Sequence, residues 1–469
     1  MPMLRSLRRN AVAVLGFTLV CGAAVRAQPS APPEPAADSP AAEVAAEDSG
    51  FHFKLGFEAK VNYRYSGDSA VKVNFPLESS APVFLRTVDP GSHFEFSTFT
   101  LVGDASWGQN LNAGARVDVG NLYDRNPTSS GKEVIVHDAW LRFGREIRPA
   151  TLPEGFGGYL KVGKFGHFER QNDRHLESWG LLSTAFNRFP DVGLEGGLDL
   201  GRFVYVKASL TAGNPVFIRD PNALAGDNGT DALLRKPPLN TPTLNSGFVI
   251  PYDTEVQDLG QTGHLQTSIG VGARFGDEAG NLAVDVLAFA RQRKLADTVA
   301  LEGTFYGGDL DILNGPFNTA PFVGPYSLPL TSDKKEEVGA NVWLYWGGFS
   351  FFGQYEDQKI AGLKRKGYEG EVAWRFDLPL VWGLAGRQLF SHIQPAIRYS
   401  KLEPKFLGGS PQYPAPSVRW DWTKIDGGLR LTIIEGIDLT AEYADNDFLL
   451  LNGKHVKNNE SLVTLRWSM

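Results

Sequence analysis

Residues 53–65 read FKLGFEAKVNYRY, and their alternation decides the fold. Phe53, Leu55, Phe57, Ala59, Val61, Tyr63 and Tyr65 fall on one side; Lys54, Gly56, Glu58, Lys60, Asn62 and Arg64 fall on the other. Successive side chains of a strand point to opposite faces. The stretch therefore predicts a strand with one aromatic-apolar face and one charged face. Strands of soluble sandwiches are mostly about 5–6 residues long. Thirteen residues in unbroken phase suit a tilted strand crossing hydrocarbon, which takes about 9–11.

The pattern recurs along the chain. Val204, Val206, Ala208 and Leu210 alternate with Tyr205, Lys207, Ser209 and Thr211, and residues 265–275, 424–433, 437–443 and 463–469 repeat the two-residue period. Charged residues recurring on one face predict a wet interior rather than a packed core. About sixteen strands can be laid out, and their connections sort by parity. Tight links fall at Gly108-Gln109-Asn110, Gly201-Arg202, 276–281, Gly347-Gly348 and Glu435-Gly436. Between them come long links at 67–91, 167–191, 214–263, 295–334, 403–419 and 445–459, with two middling turns at 146–155 and 377–387. A soluble Greek key has no reason to sort its loops this way. A transmembrane barrel with both ends in the periplasm does, with short turns inside and long loops outside. The expected fold is all-β: a transmembrane antiparallel β-barrel of about 16 strands over residues 51–469. Trp107, Trp140, Trp346, Trp374, Trp382, Tyr399, Trp420, Trp422 and Trp467 lie near strand ends, where aromatic rings sit well at the headgroup level.

The composition agrees. Of 469 residues, 42% are hydrophobic, too few for a bundle of membrane helices, and 52 are glycine. Arg5, Arg8 and Arg9 precede an apolar run from Ala11 to Ala24 and then Val25-Arg26-Ala27. A basic start, a short apolar stretch and a small residue before the cut predict a signal peptide over residues 1–27. Its removal would take the only cysteine, Cys21, and four arginines, moving the formal charge from −7 to −11. A net acidic chain argues against nucleic acid as a partner. Residues 28–50, rich in proline, alanine and acid, read as a disordered periplasmic linker.

The window from Val134 to Gly197 carries a family resemblance. Asp138-Ala139-Trp140, Leu160-Lys161-Val162-Gly163-Lys164-Phe165 and Asp191-Val192-Gly193-Leu194 resemble motifs of the phosphate-selective porin O and P family. The resemblance implies a sixteen-stranded homotrimer of the outer membrane that passes small anions. It also implies a third outer loop that folds into the lumen and narrows it. In the run matching that family's paired arginines, Phe96 to Gly103, this chain has none.

On the strand count, 167–191 is the third outer loop, between strands five and six, and is dense in charge: Glu169, Arg170, Asp173, Arg174, His175, Glu177 and Arg188 are the candidates for a pore constriction. Basic residues expected on the pore wall are Arg116, Arg142, Lys161, Lys207, Arg274, Arg291, Arg293, Arg375, Arg398, Lys424 and Arg430. Acidic partners are Asp118, Asp138, Glu195, Asp199, Glu337, Glu369, Glu371 and Glu442. Fixed charges at close quarters select ions, and the mixed signs predict modest selectivity. Catalytic motifs are thin. Residues 158–165 almost spell a phosphate loop, but Phe165 replaces the hydroxyl residue that grips magnesium. There is no HExxH pair and no GxSxG elbow. No cofactor and no enzymatic activity are expected. The expected function is passive diffusion of small polar solutes, anions such as phosphate foremost, with a general or sugar and organic-acid porin without phosphate selectivity as the first alternative and an outer-membrane barrel enzyme or adhesin as the second. The partners would be outer-membrane lipid and lipopolysaccharide, the solute, and two further copies of the chain.

Overall fold

The computed structural model describes residues 50–67, 70–73, 83–86, 91–108, 110–119, 134–152, 157–171, 173–178, 180–186, 190–213, 249–253, 264–277, 281–295, 298–303, 308–309, 315–316, 332–360, 362–379, 382–384, 386–404, 421–449 and 453–469. The expected signal peptide and nearly all of the linker lie outside these residues. Sixteen strands form the wall. The first eight are β1 (Phe51–Ser66), β2 (Gly91–Trp107), β3 (Leu111–Val119), β4 (Val134–Gly144), β5 (Gly158–Phe165), β6 (Asp191–Asp199), β7 (Val204–Thr211) and β8 (Gln266–Gly276). They continue as β9 (Leu282–Lys294), β10 (Lys334–Trp346), β11 (Phe349–Ile360), β12 (Leu363–Trp374), β13 (His392–Pro404), β14 (Asp421–Ile434), β15 (Ile437–Leu449) and β16 (His455–Ser468). Beyond Arg375 the line of β12 resumes as Phe376–Asp377, still paired with β13.

Each strand pairs antiparallel with its neighbours in sequence, and β16 pairs with β1 from Glu58↔Ser468 to Ser66↔Glu460. The ring is closed and has no edge. Hydrocarbon offers backbone groups no partner, so a sheet crosses a membrane only as a closed barrel.

The partition of side chains is inverted relative to a soluble protein. Along β8, Gln266, Ser268, Gly270, Gly272 and Arg274 are buried, while Thr267, Ile269, Val271 and Phe275 are exposed. In β1, Arg64 is 3% exposed and Leu55 is 68% exposed. Polar inside and apolar outside is the arrangement of an outer-membrane barrel. At the short-turn end the outer surface carries a girdle that includes Trp107, Trp346, Trp374, Trp382 and Trp467, with edge or stacked contacts such as Phe51–Trp107 and Phe57–Trp467. Tyr63, Tyr65, Tyr355, Tyr399 and Tyr443 are exposed toward the other end.

Three expectations change here. Trp140 and Trp422 are not girdle residues: they share the inward phase of Arg142 and Lys424, and Trp422 is fully buried. Trp420 lies outside the described residues. Loop parity also has an exception, since Ala361 and Gly362 alone join β11 to β12 on the long-loop side. The link after β15 is also shorter than expected, because β15 runs to Leu449 and β16 starts at His455. Among the described parts of the other long loops, Ala70–Val73 pairs with Val83–Arg86, and Val249–Asp253 pairs with Thr298–Gly303.

Substituting Val271, mid-strand on the outer face of β8, tests the inversion. Val271→Arg should cost about 2–4 kcal/mol of stability in vesicles, read by denaturant titration, while Val271→Leu stays near the parent. Equal stability of the two variants would place that face toward water.

Candidate functional site in the barrel lumen

The described residues of the loop between β5 and β6, 166–171, 173–178, 180–186 and 190, lie inside the barrel. The loop leaves β5 at Phe165 and runs along the wall from β8 to β15. Phe168 packs among Ile147, Tyr159, Tyr205, Leu287, Phe289, Trp343 and Phe352, all of them buried. The Glu169 carbonyl accepts from the amides of Asn341 and Gln354, and its carboxylate pairs with Arg291, which also meets Glu337 at 3.2 Å. At the next stop the His175 N–H donates to Glu371, whose Oε1 is also 2.9 Å from the ring Nδ1. The other ring nitrogen is 3.2 Å from Asp173 and 3.3 Å from Ser350 Oγ.

Glu442 then accepts the N–H groups of both Glu177 and Ser178. The Glu177 carboxylate lies 3.1 Å from Lys60 and 3.1 Å from Arg430. Arg398 donates to the Ser178 carbonyl at 2.9 Å and to its hydroxyl at 2.8 Å, and it pairs with Glu371 at 3.3 Å and Asp426 at 2.9 Å. A short helix, α1 (Leu181–Ala185), follows, and the N–H of Leu182 donates to Glu369. Three wall carboxylates thus take main-chain donors that an irregular loop cannot satisfy for itself.

The electrostatics of the loop follow from these contacts. Burial alone would lower the His175 pKa, but Asp173 and then Glu371 outweigh it and raise it to about 9. His175 is therefore an imidazolium at neutral pH and donates to both carboxylates. Burial would raise the Glu177 carboxyl, yet Lys60, Arg430, Arg466 and Arg174 around it hold it far below the usual carboxylate range.

Of the seven residues expected at a constriction, Glu169, His175 and Glu177 are buried against the wall. Arg170, Asp173 and Arg174 are half-buried, and Arg188 lies outside the described residues. On the wall, Arg142 and Lys161 meet at Glu146, and Arg274 binds Asp199. Lys424 lies 3.1 Å from Asp426, and Lys207 and Arg293 are buried. Arg116 faces Asp138 across the β3–β4 register. Arg375 is the exception: it sits at the break after β12 on the short-turn rim, one-third exposed, and pairs with Asp377 at 3.1 Å. The break in the strand takes it off the inner wall.

Charged residues on the inner face do not make the whole interior wet. Every inward side chain of β7 and β8 is buried, as are those of β11 and of the described part of β12. Inward charges that keep contact with water lie on β15 and β16 (Asp438, Arg466) and on β1 to β5 (Lys54, Glu58, Lys60, Asp104, Arg116, Asp118, Asp138, Lys161). The inward aromatic cluster was the main omission of sequence reasoning. Its signal was available, because Leu287 and Phe289 share the phase of Asp285, Arg291 and Arg293.

No protein-family profile and no curated protein sequence matches the chain. Among solved structures, the outer membrane channel DcaP of Acinetobacter baumannii aligns at 12% identity and TM-score 0.48, over 90% of this chain and 98% of that one. OprB of Pseudomonas putida aligns at 9% and 0.49, over 90% and 94%. An anion-selective porin from Comamonas acidovorans aligns at 10% and 0.45, over 90% and 100%.

Two outcomes test the docking of the loop. Arg398→Ala removes the buried cation that Glu371 and Asp426 share, leaving His175 to the first and Lys424 to the second, and should cost about 3–5 kcal/mol. It should also speed protease cleavage between residues 171 and 186. His175 has a raised folded-state pKa, so its contribution to docking is complete below about pH 6.5 and is lost as pH rises through about 9. Amide protection of residues 175–178, corrected for intrinsic exchange, should fall across that window, and His175→Gln should flatten the dependence.

Proposed function

We propose that the chain is an outer-membrane porin for passive diffusion of small polar solutes, with anions such as phosphate foremost. The division of the lumen carries this reading. One half, β7 to β14, is sealed by the docked loop. The other half, from β15 through β16 and β1 to β5, keeps a column of water-accessible charges, and Arg170, Asp173 and Arg174 of the loop are only half-buried. A solute crossing the barrel would follow that column, shedding little hydration and exchanging partners among fixed charges. No step of chemistry is needed.

The anion preference rests on the family resemblance of residues 134–197 and on a local excess of cations. Lys161, Arg142, Lys207 and Arg148 all act on the carboxylate of Glu146, at the short-turn end of the column, and Lys161 and Lys207 also act on Glu195. Burial would raise the Glu146 pKa, and these four cations hold it below the usual range. A trimer is also part of this reading. β5 and β7 have eight residues each and rise roughly 20 Å at a tilt near 40°, less than the ~25 Å apolar band. A neighbouring copy would cover this low side of the wall, and lipid and lipopolysaccharide would cover the rest.

Planar-bilayer recording of the purified barrel tests the reading. We expect ohmic KCl channels whose reversal potential in a salt gradient reports anion preference. Replacing both Arg170 and Arg174 by Ala should move that potential toward cations. Absence of any conductance removes the channel reading, and cation preference in the parent removes its anion part.

A further inference from the structure

Trp140 differs from the other inward aromatics. Tyr205, Trp343 and Phe352 are at most 4% exposed and belong to the cluster under the loop. Trp140 is only half-buried, on the side of the lumen that water reaches. Its register partners on both neighbouring strands are glycines, Gly114 on β3 and Gly163 on β5. A Cβ at Gly114 would lie 2.6 Å from the indole, so the bare backbone seats the ring against the wall. Gly163 has φ +127°, a conformation that side-chain-bearing residues rarely adopt. Two cations stand over the indole: the Lys161 ammonium is 4.8 Å and the Arg142 guanidinium 5.4 Å from the ring centre.

We propose that Trp140, Lys161 and Arg142 form a binding subsite for small aromatic carboxylates on the inner wall of the conduit. The proposal rests on the channel reading above and narrows it to a solute class. An indole offers an incoming planar ring an offset-stacked or edge contact. The two cations, already drawn to the indole by cation–π attraction, offer the carboxylate charge-assisted hydrogen bonds. Glu146 holds both cations, with Lys161 at 3.6 Å, and leaves positive charge in excess. Glu195 also faces Lys161 in the β5–β6 register, but it accepts the Tyr159 hydroxyl at 2.7 Å and is buried. Inorganic phosphate would use the cations and leave the indole idle, and a neutral sugar would use the indole and leave the cations idle. A ring bearing one carboxylate uses both.

Single-channel recording in KCl with benzoate, acetate and benzamide as probes tests the assignment. Benzoate should interrupt the current at a concentration roughly tenfold below that needed for acetate or benzamide, the scale of one aromatic contact. Trp140→Ala should erase that advantage, and Trp140→Phe should keep part of it. Lys161→Gln should weaken benzoate while leaving benzamide where it was. Each variant is first checked for the heat-modifiable gel shift of a folded barrel. If Trp140→Ala does not fold, Trp140→Phe and Lys161→Gln carry the test. Undiminished benzoate block in the folded variants overturns the subsite, as does a parent channel that conducts KCl and ignores benzoate. A parent that conducts nothing overturns the channel reading itself, and the two failures are distinguishable.

Discussion

The closed hydrogen-bond ladder is the constraint from which the remaining architecture follows. Residues 58–66 of β1 meet residues 460–468 of β16 one for one, and the C-terminal Met469 exchanges backbone hydrogen bonds with Phe57 in both directions. With the ring closed, its ladders pair main-chain groups around the whole wall, and the outer face can consist of Leu, Val, Phe and Tyr in contact with lipid. The same closure sends the alternate side chains into a confined interior. Charges crowd there and must find partners, because unpaired charge at low dielectric is costly.

Those partners come from the loop between β5 and β6 and from the wall itself. The interior is consequently of two kinds. Arg291, Arg398 and Lys424 are fully enclosed and matched by Glu169, Glu337, Glu371 and Asp426, with Phe168, Trp343 and Phe352 packed nearby. Across the lumen, Lys60, Arg116, Asp138 and Lys161 remain in contact with water. The enclosed side gives the loop a fixed position, and the hydrated side is what that position leaves open.

Much of this was legible in the chain. Period-two alternation over residues 53–65 located β1 and its faces, its recurrence along the chain gave about sixteen strands, and the sorting of loop lengths pointed to a membrane barrel. Both signals are local, set by residue spacing alone. The contacts of the interior are not local. That Glu371 meets His175, or Glu442 the amides of 177 and 178, depends on where a loop lands across the barrel, nearly two hundred residues or more along the chain. Trp140 and Trp422 were misplaced for a different reason. Both lie near strand ends, yet Arg142 and Lys424, two residues on, mark the phase that points inward. Arg375 was misplaced because the break after Trp374 interrupts the phase on which its assignment relied.

The manner of the loop's attachment has a consequence for how such a barrel can diversify. Glu369, Glu371 and Glu442 each hold main-chain N–H groups, those of Leu182, His175, Glu177 and Ser178. A grip on the peptide backbone takes no account of which side chain the residue bears, proline aside. These grips therefore persist when side chains elsewhere in the loop are exchanged. The barrel separates the part that fixes a position from the part that gives it character, and the second can drift without loosening the first.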